Sequence, residues 1–186
     1  MSLAGLAAVA AYDPAMRSLL LLRHAKSSWD DPALDDFDRP LAARGLRAAP
    51  AMGAEIARCG WAPDAALVSP ATRAAETWDN AAAEFEGRVE TVFERRIYLA
   101  TSETLLDIAR SAPAAAETII MIGHNPGMED FAASLAGPGS DKAALARMLE
   151  KFPTAALARF AFDGAWTALA PGAAQLTHFI RPRELG

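Results

Sequence analysis

The stretch Leu19-Leu20-Leu21-Leu22-Arg23-His24-Ala25-Lys26 decides the fold. Consecutive leucines without polar alternation fit a strand buried on both faces, as in a parallel sheet covered by helices. The run ends abruptly in cationic or ionisable side chains. In open α/β sheets, ligands settle beyond the carboxyl ends of strands, so Arg23, His24 and Lys26 stand where a ligand would bind. The pattern recurs where Ile119-Ile120-Met121-Ile122 runs into Gly123-His124-Asn125-Pro126-Gly127. The chain has three histidines, and two of them close its most apolar runs.

Outward from these runs, strands and helices alternate. Strands are expected over 19–22, 65–68, 89–93 and 119–122, and late strands over 156–162, 166–170 and 176–179. Asp163-Gly164 and Pro171-Gly172 turns join the late strands. Helices are expected over 41–59 (bent or broken at Pro50), 71–84, 103–111, 128–136 and 142–151. Residues 27–39 form a polar, Asp-rich loop carrying Trp29 and Pro32, and long loops in compact domains are usually functional. The alternation indicates an α/β fold with a mainly parallel sheet, and the late strands an antiparallel edge.

With 186 residues, one domain is expected over 17–186, able to bury roughly 70% of its extended surface without a disulfide or metal staple. Residues 1–16 read as an N-terminal extension, loosely ordered or not native. No positive segment precedes their apolar stretch, so it lacks the pattern of a secretory leader, and no run is long enough to span a bilayer. The single cysteine, Cys59, forbids an internal disulfide and has no basic cluster beside it to activate the thiol, so it reads as a packing residue. A cytoplasmic protein is expected. The net charge of −5 argues against a nucleic-acid surface; any arginines serving an anion must be concentrated in a pocket.

Arg23-His24 at one strand end, Ser69-Pro70-Ala71-Thr72-Arg73 after a second and Gly123-His124 after a third could form such a pocket. Guanidinium forks suit phosphate oxygens, and imidazoles serve as nucleophile, acid or donor. Arg73 would occupy the first turn of its helix, where the dipole also favours an anion. The set fits a tetrahedral dianion and phosphoryl transfer, which needs mostly positioning and charge stabilisation. No zinc-type spacing accompanies the histidines, and neither a phosphate-binding Gly-Lys loop nor a dinucleotide fingerprint is present. No metal or cofactor is expected.

These motifs resemble the histidine phosphatase superfamily. Arg23-His24-Ala25-Lys26-Ser27, Asp38-Arg39-Pro40-Leu41 with Gly45, Gly123-His124-Asn125-Pro126-Gly127 and Phe152-Pro153-Thr154-Ala155-Ala156 resemble its small phosphohistidine phosphatase branch, the SixA type. The likeness runs from about Arg17 to the C-terminus. It implies a three-layer α/β/α sandwich of the phosphoglycerate mutase-like kind. It also implies metal-independent hydrolysis in which His24 becomes a transient phosphohistidine while Arg23, Arg73 and His124 hold the phosphoryl oxygens. Glu94, in a segment resembling the Glu-Arg-x-Tyr of mutase relatives, is either the general acid or a solvated partner of a neighbouring arginine. Some relatives place an Asp after the second histidine, where this chain has Asn125, a further candidate substrate contact.

Lys26 is a phosphate contact or a rim charge; Arg39 a substrate contact or a salt-bridge partner of Asp36 or Asp38. His178 and the tryptophans read as packing or loop residues. The expected substrate is a phosphohistidine protein, since weak acid machinery suits a P–N bond. The alternatives are a small phosphomonoester, or non-catalytic binding of a phosphoprotein. The oligomeric state has no signature in the sequence.

Overall fold

The leucine run lies at the centre of a six-stranded sheet, and the alternation of its side chains accounts for both layers around it. In a computed structural model of the chain, the described residues are 16–185; residues 1–15 of the expected extension lie outside them. The strands are β1 (Met16–Arg23), β2 (Ala65–Val68), β3 (Glu90–Phe93), β4 (Thr118–Gly123), β5 (Leu157–Asp163) and β6 (Gln175–Ile180), ordered β3-β2-β4-β1-β5-β6. The helices are α1 (Ala43–Arg58), α2 (Thr72–Ala82), α3 (Ser102–Arg110), α4 (Gly127–Leu135) and α5 (Lys142–Glu150).

Successive side chains of a strand point to opposite faces. Leu19 and Leu21 of β1, with Ile119 and Met121 of β4, pack against Leu105, Ile108, Phe131 and Met148 from α3, α4 and α5. Leu20, Leu22, Ile120 and Ile122 pack on the other face against Met52, Ile56 and Trp78 from α1 and α2. A strand between two helical layers has no solvent side, so no polar alternation is possible.

β1, β2, β3 and β4 are parallel, β5 is antiparallel to β1, and β6 is antiparallel to β5. The carboxyl ends of β1, β2 and β4 therefore lie along one edge of the sheet. The ladder continues past them: the N–H of His24 donates to the Gly123 carbonyl at 3.0 Å, and that of Ser69 to the Ile122 carbonyl at 3.0 Å.

One expectation is corrected and one narrowed. The strand expected over 166–170 is a single 3-10 turn, Trp166–Ala168. Trp and Thr favour strands, but the Trp166 ring is buried and its indole N–H donates to the Ala116 carbonyl at 2.9 Å, a tertiary anchor that overrides local preference. Of the bend or break expected at Pro50, the break is absent: α1 runs through it, and burial of Ala49, Met52, Gly53 and Ile56 holds the helix on the sheet.

α1 and α2 approach closely at Gly53, where a Cβ would lie 2.3 Å from the Ala81 carbonyl oxygen. Gly53→Ala must push the two helices apart. We expect a loss of about 1–3 kcal/mol, a fall in Tm of about 3–10 °C; an unchanged melting curve contradicts this packing.

Candidate active site

The three parallel strand ends bring four of the expected residues together. The His24 and His124 rings lie 5.0 Å apart between centroids, and the charges of Arg23 and Arg73 act on both. His24, His124 and Arg73 are buried.

Hydrogen bonds decide which ring nitrogen of each histidine is available. His24 Nδ1 lies 2.8 Å from the Ala25 carbonyl. A carbonyl only accepts, so Nδ1 carries the proton and Nε2 keeps its lone pair, with no partner among the described residues. His124 Nε2 lies 2.8 Å from Ser69 Oγ. That fully buried hydroxyl accepts from the Ala71 N–H at 3.4 Å, and among the described residues His124 Nε2 is the one acceptor within reach of its own proton, which assigns the proton to that bond. Nδ1 of His124 is thus the N–H, and it is buried without a partner.

The arginines end the same way. Arg23 Nη1 donates to the Phe152 carbonyl at 2.7 Å. Arg73, in the first turn of α2, donates through Nη1 to the Asp36 carbonyl and through Nη2 to Asp36 Oδ2 at 2.8 Å. The Nε atoms of both are buried and unpartnered. Arg17 and Arg159 also leave their Nε atoms unpartnered elsewhere in the described residues, but at the strand ends the free nitrogens of Arg23, Arg73 and His124 occur together around His24, a set of donors suited to an anionic acceptor. α2 begins there without a side-chain cap, adding a helix terminus that favours an anion.

Burial, the largest cause, and the charges of Arg73, Arg23 and Arg39 outweigh the Ala25 carbonyl and lower His24 to about 4. Burial, then His24, Arg73 and Arg23, lower His124 to about 3 against the opposing charge of Asp36. Both rings are neutral at physiological pH. A neutral imidazole with an open Nε2 is a nucleophile, and its surroundings are donors suited to a phosphoryl group.

Asp36, named from sequence only as a partner of Arg39, organises one wall. Besides binding Arg73, its carboxylate accepts from Tyr98 Oη at 2.8 Å and from Arg39 Nε at 3.0 Å. Burial pulls its pKa up, but the Tyr98 and Arg73 hydrogen bonds and the charges of Arg73 and Arg39 hold it below the usual value. Tyr98 stands edge-on to His124 at 5.3 Å. Arg39 thus makes the salt bridge and stacks on exposed Trp29, its guanidinium 3.5 Å from the ring centroid. A lone Asp in a polar loop gave no sign of this role; Tyr98 was visible only as part of the Glu94 segment.

The other expected residues are held by partners of their own or by none. The Glu94 carboxylate accepts from the Arg96 backbone and guanidinium, each at 2.9 Å, and Arg96 holds its pKa below the ordinary value. Lys26 is exposed, with no side-chain partner among the described residues. Asn125 Nδ2 donates to Glu129 Oε2 at 2.7 Å and to the Phe152 carbonyl at 3.2 Å, which places it beside Arg23. His178 packs on Trp61 at 4.6 Å. Burial, and then Glu55, raise the Cys59 thiol, the opposite of activation. Among the described residues no three His, Cys, Asp or Glu side chains group as a metal site, and no helix is long and apolar enough to cross a membrane.

This fold is shared with known proteins. The family model of the histidine phosphatase superfamily (branch 1) matches residues 19–97. An uncharacterized Mycobacterium tuberculosis protein, Rv1276c, is 36% identical over 163 residues, covering 87% of this chain and 100% of its own. A solved structure from Agrobacterium tumefaciens, provisionally assigned as the phosphohistidine phosphatase SixA, is 30% identical with a TM-score of 0.73, covering 89% of this chain and 99% of its own. One from Nakamurella multipartitia, with the same provisional assignment, is 26% identical with a TM-score of 0.80, covering 90% and 96%. The chain belongs to the histidine phosphatase superfamily, with the phosphoglycerate mutase-like α/β fold and a phosphatase activity.

Two predictions follow the geometry. In an NMR titration, the His24 ring should protonate near pH 4, so the nucleophilic neutral form persists well below the usual midpoint of about 6.5 and disappears only under stronger acid; a midpoint at the ordinary value refutes the burial argument. Asp36→Ala should lower phosphatase kcat/KM by about 10- to 100-fold by releasing the Arg73 fork, while Asp38→Ala, changing an exposed neighbour, leaves it unchanged; equal effects would refute the clamp.

Proposed function

We propose that this protein is a protein phosphohistidine phosphatase working through a covalent phosphohistidine at His24. The observation that carries the proposal is the open His24 Nε2 beside three buried, unpartnered N–H groups on Arg23, Arg73 and His124. Nε2 attacks phosphorus, a P–N bond to His24 forms, and the bond to the leaving group breaks. Water then attacks the phosphohistidine: its oxygen bonds phosphorus, the P–N bond breaks with its electron pair returning to Nε2, and inorganic phosphate departs with both of the water's hydrogens, one of which it can release to solvent. The donors hold the three oxygens through both steps, and each contributes about 10²- to 10³-fold in rate. The reaction needs no metal.

The substrate class rests on the leaving group. An alkoxide needs a proton as it departs, yet the carboxylates Asp36 and Glu94 are held ionised by their arginine partners, and Asn125 follows His124. A protonated imidazole leaves more readily. This supports a P–N substrate and the reading of Glu94 as a partner of Arg96 rather than an acid. Exposed Trp29 and Leu99 lie on the rim near Arg39 and Tyr98, as suits a site approached by a protein surface. The SixA assignment of the solved relatives supports the same substrate.

The test is a panel of phosphohistidine peptide, phosphoramidate and sugar phosphate, with wild type and His24→Ala. Wild type should cleave the first two well above the third and trap acid-labile labelled phosphate; His24→Ala should fold, trap nothing and turn over nothing. Preference for the sugar phosphate refutes the substrate class. Labelled phosphate on the His24→Ala protein refutes the nucleophile.

A further inference from the structure

Beside the catalytic strand end lies a basic hollow that the phosphoryl chemistry does not use. Its volume is about 180 Å³, and its walls include Arg44, Lys151, Thr154, Arg181 and Arg183. A second hollow of about 250 Å³ shares Arg44, Pro182 and Arg183 and adds Arg47. Arg44 and Arg47, three apart on α1, share a helix face. Of these cations, Arg181 is taken up by Glu184 at 2.9 Å and Glu150 at 3.4 Å. Arg44, Arg47, Lys151 and Arg183 are exposed, without an ion-pair partner among the described residues. Glu150 is the one carboxylate lining either hollow. On a chain with net charge −5, this is a local reversal of sign.

The hollow is tied to His24 on both sides. Pro153 and Thr154 sit between Phe152, whose carbonyl holds Arg23, and Ala155, whose N–H reaches the Arg23 and His24 carbonyls at 3.0 and 3.2 Å. Ala155 takes the left-handed conformation to do so, with φ 58°. On the opposite wall the Ala42 N–H donates to the Lys26 carbonyl at 2.8 Å, and a Cβ on Gly45 would lie 2.2 Å from that carbonyl. Arg44 is therefore fixed against the turn that follows His24.

We infer that Arg44, Arg47, Lys151 and Arg183 form a docking surface for an acidic face of the phosphorylated partner, seated while its phosphohistidine enters the catalytic cradle. The inference rests on the phosphohistidine reading for what occupies the cradle, but not for what occupies the hollow. A site for one small anion would converge buried forks on a point, as Arg23 and Arg73 do. Here four exposed side chains spread over α1, the 151–154 loop and the C-terminal turn, matching an extended acidic surface.

The test separates docking from chemistry. Binding of a labelled Glu-rich peptide and its Gln-rich counterpart is measured by fluorescence anisotropy, for wild type and for Arg44→Gln/Arg47→Gln/Lys151→Gln/Arg183→Gln. Each exposed ion pair is worth about twofold in affinity, so wild type should favour the Glu-rich peptide by about tenfold, lose the preference as salt rises, and lose it in the variant at an unchanged Tm. With phosphohistidine placed in both peptides, the Glu-rich one should show the lower KM with wild type only, while phosphoramidate turnover is the same for both proteins. Equal binding of the two peptides, or a preference that survives the substitutions, overturns the docking surface. Selective binding with no cleavage of either phosphohistidine peptide supports docking and refutes the phosphohistidine reading. Cleavage of both peptides with equal KM overturns docking alone.

Discussion

The parallel pairing of β1 with β4 puts Arg23 opposite Gly123, and every feature of the site depends on that register. One residue further along each strand, His24 and His124 become neighbours at the sheet edge, with rings 5.0 Å apart. A slip of one residue would reverse the face of every side chain on β1. Leu19 and Leu21 would then exchange cores with Leu20 and Leu22, between helical layers built for particular side chains. The packing that stabilises the fold is therefore the same constraint that sets the distance between the two imidazoles.

Around that pair the protein solves an electrostatic problem by leaving it open. Burying guanidinium groups is costly unless they are paired. Asp36 neutralises the outer face of Arg73, and the Phe152 carbonyl takes one N–H of Arg23. Among the described residues, no side chain or carbonyl takes the Nε atoms of Arg23 and Arg73 or Nδ1 of His124. An arriving phosphoryl group would complete the hydrogen bonding of all three donors at once, and they need little reorganisation to receive it. The same burial keeps both imidazoles neutral, so His24 Nε2 keeps its lone pair without a dedicated base.

What the sequence revealed follows from how local each signal is. The β1, β2 and β4 strand ends and Arg23, His24, Arg73 and His124 were legible because apolar runs terminating in polar residues are local patterns. β5 and β6 supply the antiparallel edge expected from the late apolar runs. The clamp was not legible: Asp36 and Arg73 are far apart in sequence, and nothing in an Asp-rich loop distinguishes Asp36 from Asp35 or Asp38. Ser69 was in view as part of a motif, but its setting of the His124 tautomer emerges only from the buried geometry. Trp166 failed as a strand residue because its indole is anchored to Ala116, a contact with no local trace.

Arginine serves this molecule in two solvation regimes, and the contrast assigns the work of each. Arg23 and Arg73 have their Nε atoms buried, where water and salt screen weakly and a fixed fork would discriminate the geometry of a bound phosphoryl group. Arg44, Arg47 and Arg183 stand in solvent, where a single contact is weak and fades over a Debye length of about 10 Å in ordinary salt. Such charges do little to select a transition state but can orient an approaching surface. On a chain of net charge −5, the patch offers an acidic partner a cluster of unpaired cations. Attraction confined to that face would deliver its phosphorylated side chain to the adjoining strand end, so that the weak exposed charges choose the approach and the buried donors act after it.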